Sequence, residues 1–216
     1  MGARMQPSWD FESQIEREEI DQIRRKLELY PCKTPELQRI GLRFYEHEAA
    51  PTTSSARLAR RQRFKFAELT IESGSKNALS GRMVSQLSER LDELERWLQL
   101  DDQEAQLAEE ADSSFGGHAL LVRGARGTFS SGSDLSGVRA TASHLSGLEL
   151  ARLMQYNCAR LERLPLISVA HLQGYAVGGG AELAMAADFR IISGKLAPLL
   201  GARCGKKGGG ARFERE

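Results

Sequence analysis

The sequence predicts an α/β protein with a largely parallel β-sheet. Three short apolar runs have the length and composition of buried strands: FAELTI at residues 66–71, ALLVRG at 119–124 and LISVA at 166–170. Amphipathic helices are predicted between them, over residues 80–99 and 148–164. Strands that alternate with helices of this length are typical of βαβ units, because two parallel strands need a long crossover connection.

The residues before the first strand are predicted to form an N-terminal helical and linker extension, residues 1–63. Residues 13–30 predict a peripheral amphipathic helix, with Ser13 and Glu16 at capping-box spacing. APTTSSA at residues 50–56 is typical of a linker. An arginine-rich stretch follows it. Few aromatic residues alternate with these arginines, so the pattern favours a solvated linker over a nucleic-acid site.

The packed domain is predicted at residues 64–193. Its first helix carries an apolar stripe, and the acidic residues 100–117 are expected to form an exposed loop. The run at residues 174–192 predicts a turn, a short helix and a last strand. Residues 194–216 are glycine-rich and basic without any sustained period, which predicts a disordered tail unrelated to the domain.

The composition argues against several classes of protein. Thirty Lys and Arg against 29 Asp and Glu leave a net charge of +1, so no general attraction to nucleic acid or membranes is expected. No apolar run is long enough to span a bilayer, and the first twenty residues lack the apolar core of a secretory signal. The scattered Cys32, Cys158 and Cys204 have no metal-ligand spacing and favour a reducing compartment. No metal or redox cofactor is expected, because no dinucleotide fingerprint is present either.

Two glycine-containing turns are the candidate functional elements. FSSGSDL occupies residues 129–135, and GYAVGGGAEL occupies residues 174–183. Three consecutive glycines cost chain entropy, which favours a place where backbone approaches another group closely. Free N–H groups at a helix N-terminus attract negative charge. The turns therefore indicate a phosphate site or an oxyanion hole, and their spacing matches neither common phosphate-binding motif.

Together, the two turns and their flanks resemble the crotonase superfamily of enoyl-CoA hydratases and isomerases. The resemblance covers residues 66–193, and SKNALSGRMVSQL at residues 75–87 is similar to the family's early acyl-CoA-contacting turn and first helix. It implies the crotonase-like (ClpP/crotonase) spiral of ββα units, incomplete at the C-terminus, since the likeness ends at Gly194 and Lys195. The family's homotrimer or hexamer is then not expected to form fully.

The resemblance also implies the residues of a site. The backbone N–H groups of Ser133 and Gly179 would form the oxyanion hole for a thioester oxygen, and Glu182 stands at the position of a catalytic glutamate. The family has no metal at this site. Contacts with the acyl-CoA substrate are implied for two residues of the early turn and for residues of both glycine turns: Asn77, Ala78, Ser131, Gly132, Asp134, Gly178 and Gly180.

Within the superfamily, the SSGSDL loop and the GGGAE turn followed by ADFR are most similar to members that decarboxylate ethylmalonyl-CoA. The resemblance therefore implies a cytosolic metabolite-repair enzyme for ethylmalonyl-CoA, and for methylmalonyl-CoA as a second substrate. An enoyl-CoA hydratase or isomerase is one alternative. The position of the second glutamate that the family's hydratases use falls near Ala202, which speaks against hydration. A non-catalytic truncated isoform and an RNA-associated relative are the other two.

Overall fold

The structure is a computed structural model, and it describes residues 14–29, 38–49, 62–107, 115–134 and 144–194. The predicted tail from residue 195 onwards lies outside this range. The helices and strands of the described residues are, in chain order, α1 (Gln14–Glu28), β1 (Gln38–Ala49), β2 (Gln62–Ser73), α2 (Gly81–Leu107), β3 (Phe115–Gly124), α3 (His144–Arg163), β4 (Ile167–Leu172), α4 (Gly179–Ala186) and β5 (Phe189–Ile192).

These strands form one sheet in the order β1-β2-β3-β4-β5. β1 pairs antiparallel with β2, whereas the other three neighbouring pairs are parallel. A helix lies in each parallel connection: α2 after β2, α3 after β3 and α4 after β4. The predicted largely parallel sheet is therefore confirmed. The parallel arrangement also brings the carboxyl ends of β2, β3 and β4 to the same edge, where ligands of such sheets are usually bound.

The hydrophobic core joins one face of the sheet to the helices. Ala67, Leu69 and Ile71 alternate along β2 and are almost completely buried, as the period of a strand requires. The predicted apolar stripe of α2 is confirmed, because it is buried from Met83 to Leu98. Burial of each large aliphatic side chain contributes roughly 1.5–3 kcal/mol relative to exposure. This packed layer sets the positions of the strand ends and of the turns that follow them.

Helix α2 is longer than the sequence predicts. We expected residues 100–117 to form an exposed acidic loop, but the helix continues to Leu107 and β3 begins at Phe115. The prediction was wrong because Asp101 has two partners across the fold: Lys65 donates to it, and His118 Nε2 lies 2.7 Å from Oδ2. Burial alone would raise the pKa of Asp101, but the hydrogen bonds and charges of Lys65 and His118 hold it below its usual value.

The described N-terminal segments pack against the domain. Helix α1 was predicted and is confirmed; it packs on α2 and α3 with Ile20, Ile23 and Leu27 buried. Strand β1 was not predicted, because charged residues interrupt its alternation, yet it pairs with β2 along its whole length. The boundary predicted between residues 63 and 64 falls inside β2. Residues 50–61, with the predicted linker, lie outside the described range.

Buried polar contacts join α2 to α3. Asn157 Nδ2 donates to the carbonyl of Val84 at 2.9 Å, and its Oδ1 accepts from Ser88 Oγ at 2.6 Å. The guanidinium of Arg160 donates to Glu95 and Asp92 over 2.7–2.9 Å. Burial would lower the pKa of Arg160, but the two carboxylates raise it above its ordinary value. These contacts hold α3 in place, and α3 in turn packs against α4.

None of the described helices combines the length and the apolar character that a membrane span would need.

Candidate active site

The two glycine turns meet at the carboxyl edge of the sheet. One follows β3 and the other follows β4. Their backbones form a short parallel bridge, in which Ser130 N donates to Tyr175 O at 2.8 Å and Val177 N donates to Ser130 O at 3.0 Å. The hydrogen-bonding groups of the two turns thus satisfy each other. The structure brings the two turns together, as the resemblance implied.

The turn after β2 is hydrogen-bonded to the first glycine turn. Ser131 N donates to Lys76 O at 2.9 Å, and Leu79 N donates to Gly132 O at 2.8 Å. Asp134 N donates to Leu79 O at 2.8 Å, which completes a second short parallel bridge. All three segments that the sequence analysis selected therefore lie side by side.

Two glycines allow this close approach. Gly132 has a φ of +82°, and a Cβ added to it would lie 2.5 Å from the carbonyl oxygen of Val177. A Cβ added to Gly180 would lie 2.6 Å from the Cβ of Ser130. Real Cβ atoms do not approach other atoms so closely, so a larger residue at either position would push the turns apart.

The geometry of the first turn orients the N–H group of Ser133. In a planar trans peptide the C=O and N–H groups point in opposite directions. Because the carbonyl of Gly132 points at Leu79 N, the N–H of Ser133 points away from Leu79. No acceptor for this N–H occurs among the described residues, although the N–H groups of Ser130, Ser131, Gly132 and Asp134 all have one. Ser133 is also exposed, so its N–H is available to a ligand.

The second turn presents the N–H group of Gly179 in a similar way. Gly179 is the first residue of α4, and no side chain caps the helix. The carbonyl of Gly178 accepts from Glu182 N at 3.0 Å, so the N–H of Gly179 points out of the helix N-terminus. It too has no acceptor in the described part of the chain. The helix dipole adds a partial positive charge at this end, which favours a developing negative charge.

Glu182 lies on the same face of α4 as Gly179, because the two residues are three positions apart. Glu182 is exposed, and the flanking residues Ala181 and Leu183 are buried. Its carboxylate is close enough to α3 to act on Cys158. Burial raises the pKa of the Cys158 thiol to about 12, with the carboxylates of Glu182 and Glu162 adding to the effect. A carboxylate therefore stands beside the helix end that presents Gly179.

The side chain of Asn77 is completely buried. The contact with CoA that the resemblance implied for Asn77 stays a prediction. Asn77 Oδ1 accepts from Ser73 N at 3.0 Å, and its Nδ2 donates to the carbonyls of Ala125 and Thr128 at 2.8 and 2.6 Å. A side chain with these partners and no exposed surface braces the turns after β2 and β3. We therefore assign Asn77 a structural role at the site.

The remaining residues implied as substrate contacts lie around the junction of the turns. Gly132 and Gly180 are buried, and the others are partly exposed: Ala78, Ser131, Asp134 and Gly178. Their contact with substrate stays a prediction. The sequence analysis missed Ser130 and Leu79, which hold the turns together. A serine two residues before a glycine is the available signal for Ser130, because such a hydroxyl often accepts from the second N–H after it.

Within the described residues, no group of three or more His, Cys, Asp or Glu side chains is arranged to hold a metal ion. The Nε2 atom of His171 lies 2.7 Å from Ser193 Oγ.

The chain is similar to proteins of one known family. Residues 65–198, more than half of the chain, match the family described as enoyl-CoA hydratase/isomerase. Ethylmalonyl-CoA decarboxylase from Rattus norvegicus is 44% identical over 126 residues, which cover 58% of this chain and 36% of the relative. The enzyme of the same name from Danio rerio is 42% identical over 141 residues, covering 64% of this chain and 41% of the relative.

Solved structures are similar as well. The enoyl-CoA hydratase from Bacillus anthracis is 22% identical with a TM-score of 0.47, over 72% of this chain and 47% of that one. The matches to the two curated relatives span only about two fifths of their length.

Proposed function

Because the chain belongs to the enoyl-CoA hydratase/isomerase family, with its crotonase fold, we propose that its site holds the carbonyl oxygen of an acyl-CoA thioester. The proposal rests on one observation: Ser133 and Gly179 present N–H groups without an acceptor among the described residues, at the place where their turns touch. Two such donors from separate loops are the arrangement of an oxyanion hole.

The reaction that we propose is decarboxylation of ethylmalonyl-CoA, with methylmalonyl-CoA as a second substrate. The bond between the α-carbon and the carboxylate breaks, and its electron pair moves into the thioester to give an enolate and CO2. The enolate oxygen carries the new negative charge, and the two N–H groups stabilise it more than they stabilise the neutral carbonyl. A proton then adds to the α-carbon and gives the saturated thioester, butyryl-CoA or propionyl-CoA.

Glu182 is the residue to which we assign this protonation step. It shares a helix face with Gly179 and is open to solvent, so it can deliver a proton or orient a water molecule. The reaction needs no metal or redox cofactor, since the thioester itself accepts the electron pair. The CoA thioester is the substrate and not a resident cofactor.

The choice of a malonyl-type substrate is supported by the relatives. The two relatives named ethylmalonyl-CoA decarboxylase that are described above are 42–44% identical to the chain over 126–141 residues. The matched region is less than half of each relative, so the activity of the whole relatives enters here as a proposal. We place the reaction in the cytosol as metabolite repair, because scattered cysteines favour a reducing compartment.

Hydration or isomerisation of an enoyl-CoA is the second candidate, since the same two N–H groups and Glu182 would serve it. The two are separated by incubating the purified chain with ethylmalonyl-CoA and, separately, with crotonyl-CoA. Release of CO2 and formation of butyryl-CoA would support decarboxylation. Formation of 3-hydroxybutyryl-CoA without CO2 release would support hydration instead. A chain that converts neither thioester would contradict both proposals.

Gly179→Pro tests the oxyanion hole directly. Proline removes the N–H, and it is well tolerated at the first position of a helix. Loss of one oxyanion donor lowers kcat by roughly 10²–10³-fold, which corresponds to about 2.7–4 kcal/mol. Gly179→Ala is the matched control: its Cβ would make only ordinary contacts, at 3.6 Å from Leu79 and 3.9 Å from Met154, and it keeps the N–H. Equal turnover by the two variants would refute the role of this donor.

A further inference from the structure

Ser130 lies where the three turns of the site meet. The residue is completely buried. Its Oγ donates to the carbonyl of Asn77 at 2.7 Å and accepts from the N–H of Gly132 at 3.1 Å. Its own backbone N–H and carbonyl bind Tyr175 and Val177 in the second glycine turn. Ser130 is thus bonded to all three segments of the site at once.

The hydroxyl of Ser130 helps to set the direction of the Ser133 N–H. Gly132 precedes Ser133, and its φ of +82° belongs to a region that few other residues adopt. Two hydrogen bonds hold Gly132: its N–H donates to Ser130 Oγ and its carbonyl accepts from Leu79 N. These bonds fix the two peptide planes on either side of Gly132. The second of these planes carries the N–H of Ser133.

Ser130 also touches the helix end that presents Gly179. A Cβ on Gly180 would lie 2.6 Å from the Cβ of Ser130 and 2.9 Å from its Oγ. The backbone of α4 therefore packs directly on the Ser130 side chain, one residue after Gly179. A shift of Ser130 would move both N–H donors relative to each other.

We propose that Ser130 is a positioning residue, whose hydroxyl sets the geometry of the oxyanion hole formed by Ser133 and Gly179. This inference rests on the proposed function. Without the hydroxyl, the N–H of Gly132 loses its acceptor and the carbonyl of Asn77 loses a donor, both in a buried place. The turn can then rotate at Gly132, and the Ser133 N–H leaves the direction that a thioester oxygen requires. If Ser130 only stabilised the fold, its replacement would not selectively weaken binding of the thioester carbonyl oxygen.

The test compares two ligands that differ in that atom. Butyryl-CoA has a thioester carbonyl, and S-butyl-CoA is the thioether without it. Dissociation constants of both are measured for the full chain, for Ser130→Ala and for Ser85→Ala. Ser85 is a matched control, because it is also completely buried and its Oγ donates a hydrogen bond to Glu28 Oε1 at 3.0 Å. Ser85 lies on α2 and makes no contact with the glycine turns through this bond.

We expect the wild-type chain to prefer the thioester roughly thirtyfold, the effect of two average hydrogen bonds. Ser130→Ala should reduce this preference to about fivefold or less, since one or both bonds are lost, and leave thioether binding unchanged. Ser85→Ala should keep the wild-type ratio. A Ser130→Ala chain that also keeps the ratio would overturn the inference. A wild-type chain without any preference would refute the proposed function itself, and with it the inference.

If Ser130→Ala does not fold, NMR and hydrogen exchange of the wild-type chain test the same inference. The amide resonances of Ser133 and Gly179 should shift with butyryl-CoA and not with S-butyl-CoA. The amide of Gly132 should already be protected from hydrogen exchange in the free protein, because Ser130 Oγ accepts from it. An unprotected Gly132 amide beside ligand-sensitive Ser133 and Gly179 amides would contradict the role of Ser130 and leave the oxyanion hole intact.

Discussion

Replacement of Asn77 tests how much its buried side chain stabilises the turns after β2 and β3. Asn77→Ala removes three side-chain hydrogen bonds, to Ser73 N and to the carbonyls of Ala125 and Thr128. Each of these hydrogen bonds contributes about 1 kcal/mol net to stability, and its loss costs more where the remaining group stays buried without a new hydrogen-bond partner. Asn77 also has a φ of +50°, which costs alanine roughly 1 kcal/mol more than asparagine. The expected loss in the free energy of unfolding is therefore about 4 kcal/mol.

Asn77→Gly separates the two contributions. Glycine loses the same three hydrogen bonds but adopts a positive φ without strain. Its expected loss is about 3 kcal/mol, which leaves it about 1 kcal/mol more stable than Asn77→Ala. Ser75→Ala, an exposed residue of the same turn, is the control and should stay within about 0.5 kcal/mol of the wild type.

Urea denaturation followed by tryptophan fluorescence measures all three variants at a common slope. An Asn77→Ala chain within about 1 kcal/mol of the wild type would refute the bracing role. Equal midpoints for the alanine and glycine variants would refute the backbone part of the reasoning and leave the hydrogen-bond part standing.

Three further predictions concern the residues around the site and the core. Arg160→Ala should cost roughly 1–3 kcal/mol in urea denaturation, because Glu95 loses its guanidinium while the partly exposed Asp92 keeps Arg24 at 3.0 Å; a loss below about 0.5 kcal/mol would contradict this. The pKa of Asp101 is lower in the folded state, so Asp101 stabilises the fold above its unfolded pKa of about 3.9 and loses this contribution as the pH falls further. The stability advantage of the wild type over Asp101→Asn should therefore shrink between pH 5 and pH 2, and a constant difference would refute the assignment. The Cys158 thiol, with a pKa of about 12, should resist iodoacetamide at pH 8 until urea unfolds the chain, as followed by mass spectrometry of its peptide; fast labelling of the folded chain would contradict this.

The site was predicted from the sequence in part. The glycines of the two turns could be selected because rare residue types in a row point to unusual backbone, whereas the positions of Ser133 and Gly179 were implied by the resemblance to the family. Their meeting at one edge followed from the parallel order of the strands. The hydrogen bonds of the Asn77 side chain were not predicted, since a polar residue in a turn has the same sequence signal whether it contacts solvent, ligand or buried backbone. Ser130 was missed for the same reason.

The fold shows the same division. Helices α2 and α3 and strands β2, β3 and β4 were predicted because their burial repeats with a period that is visible within a few residues. Strand β1 and the last turns of α2 were not, because they depend on partners distant in the sequence. β1 is paired along its length with β2, and Asp101 of α2 meets Lys65 and His118.

The sequence by itself determined the alternation of strands and helices, the two glycine turns and the family to which the chain belongs. Apolar periodicity and glycine content are local properties, so they can be recognised before the chain is folded. Only the tertiary structure decided which backbone N–H groups find an acceptor among the described residues and which have none there. That depends on the neighbours of each peptide group in space: Leu79 accounts for the direction of the Ser133 N–H, and Ser130 for the contact between the turns.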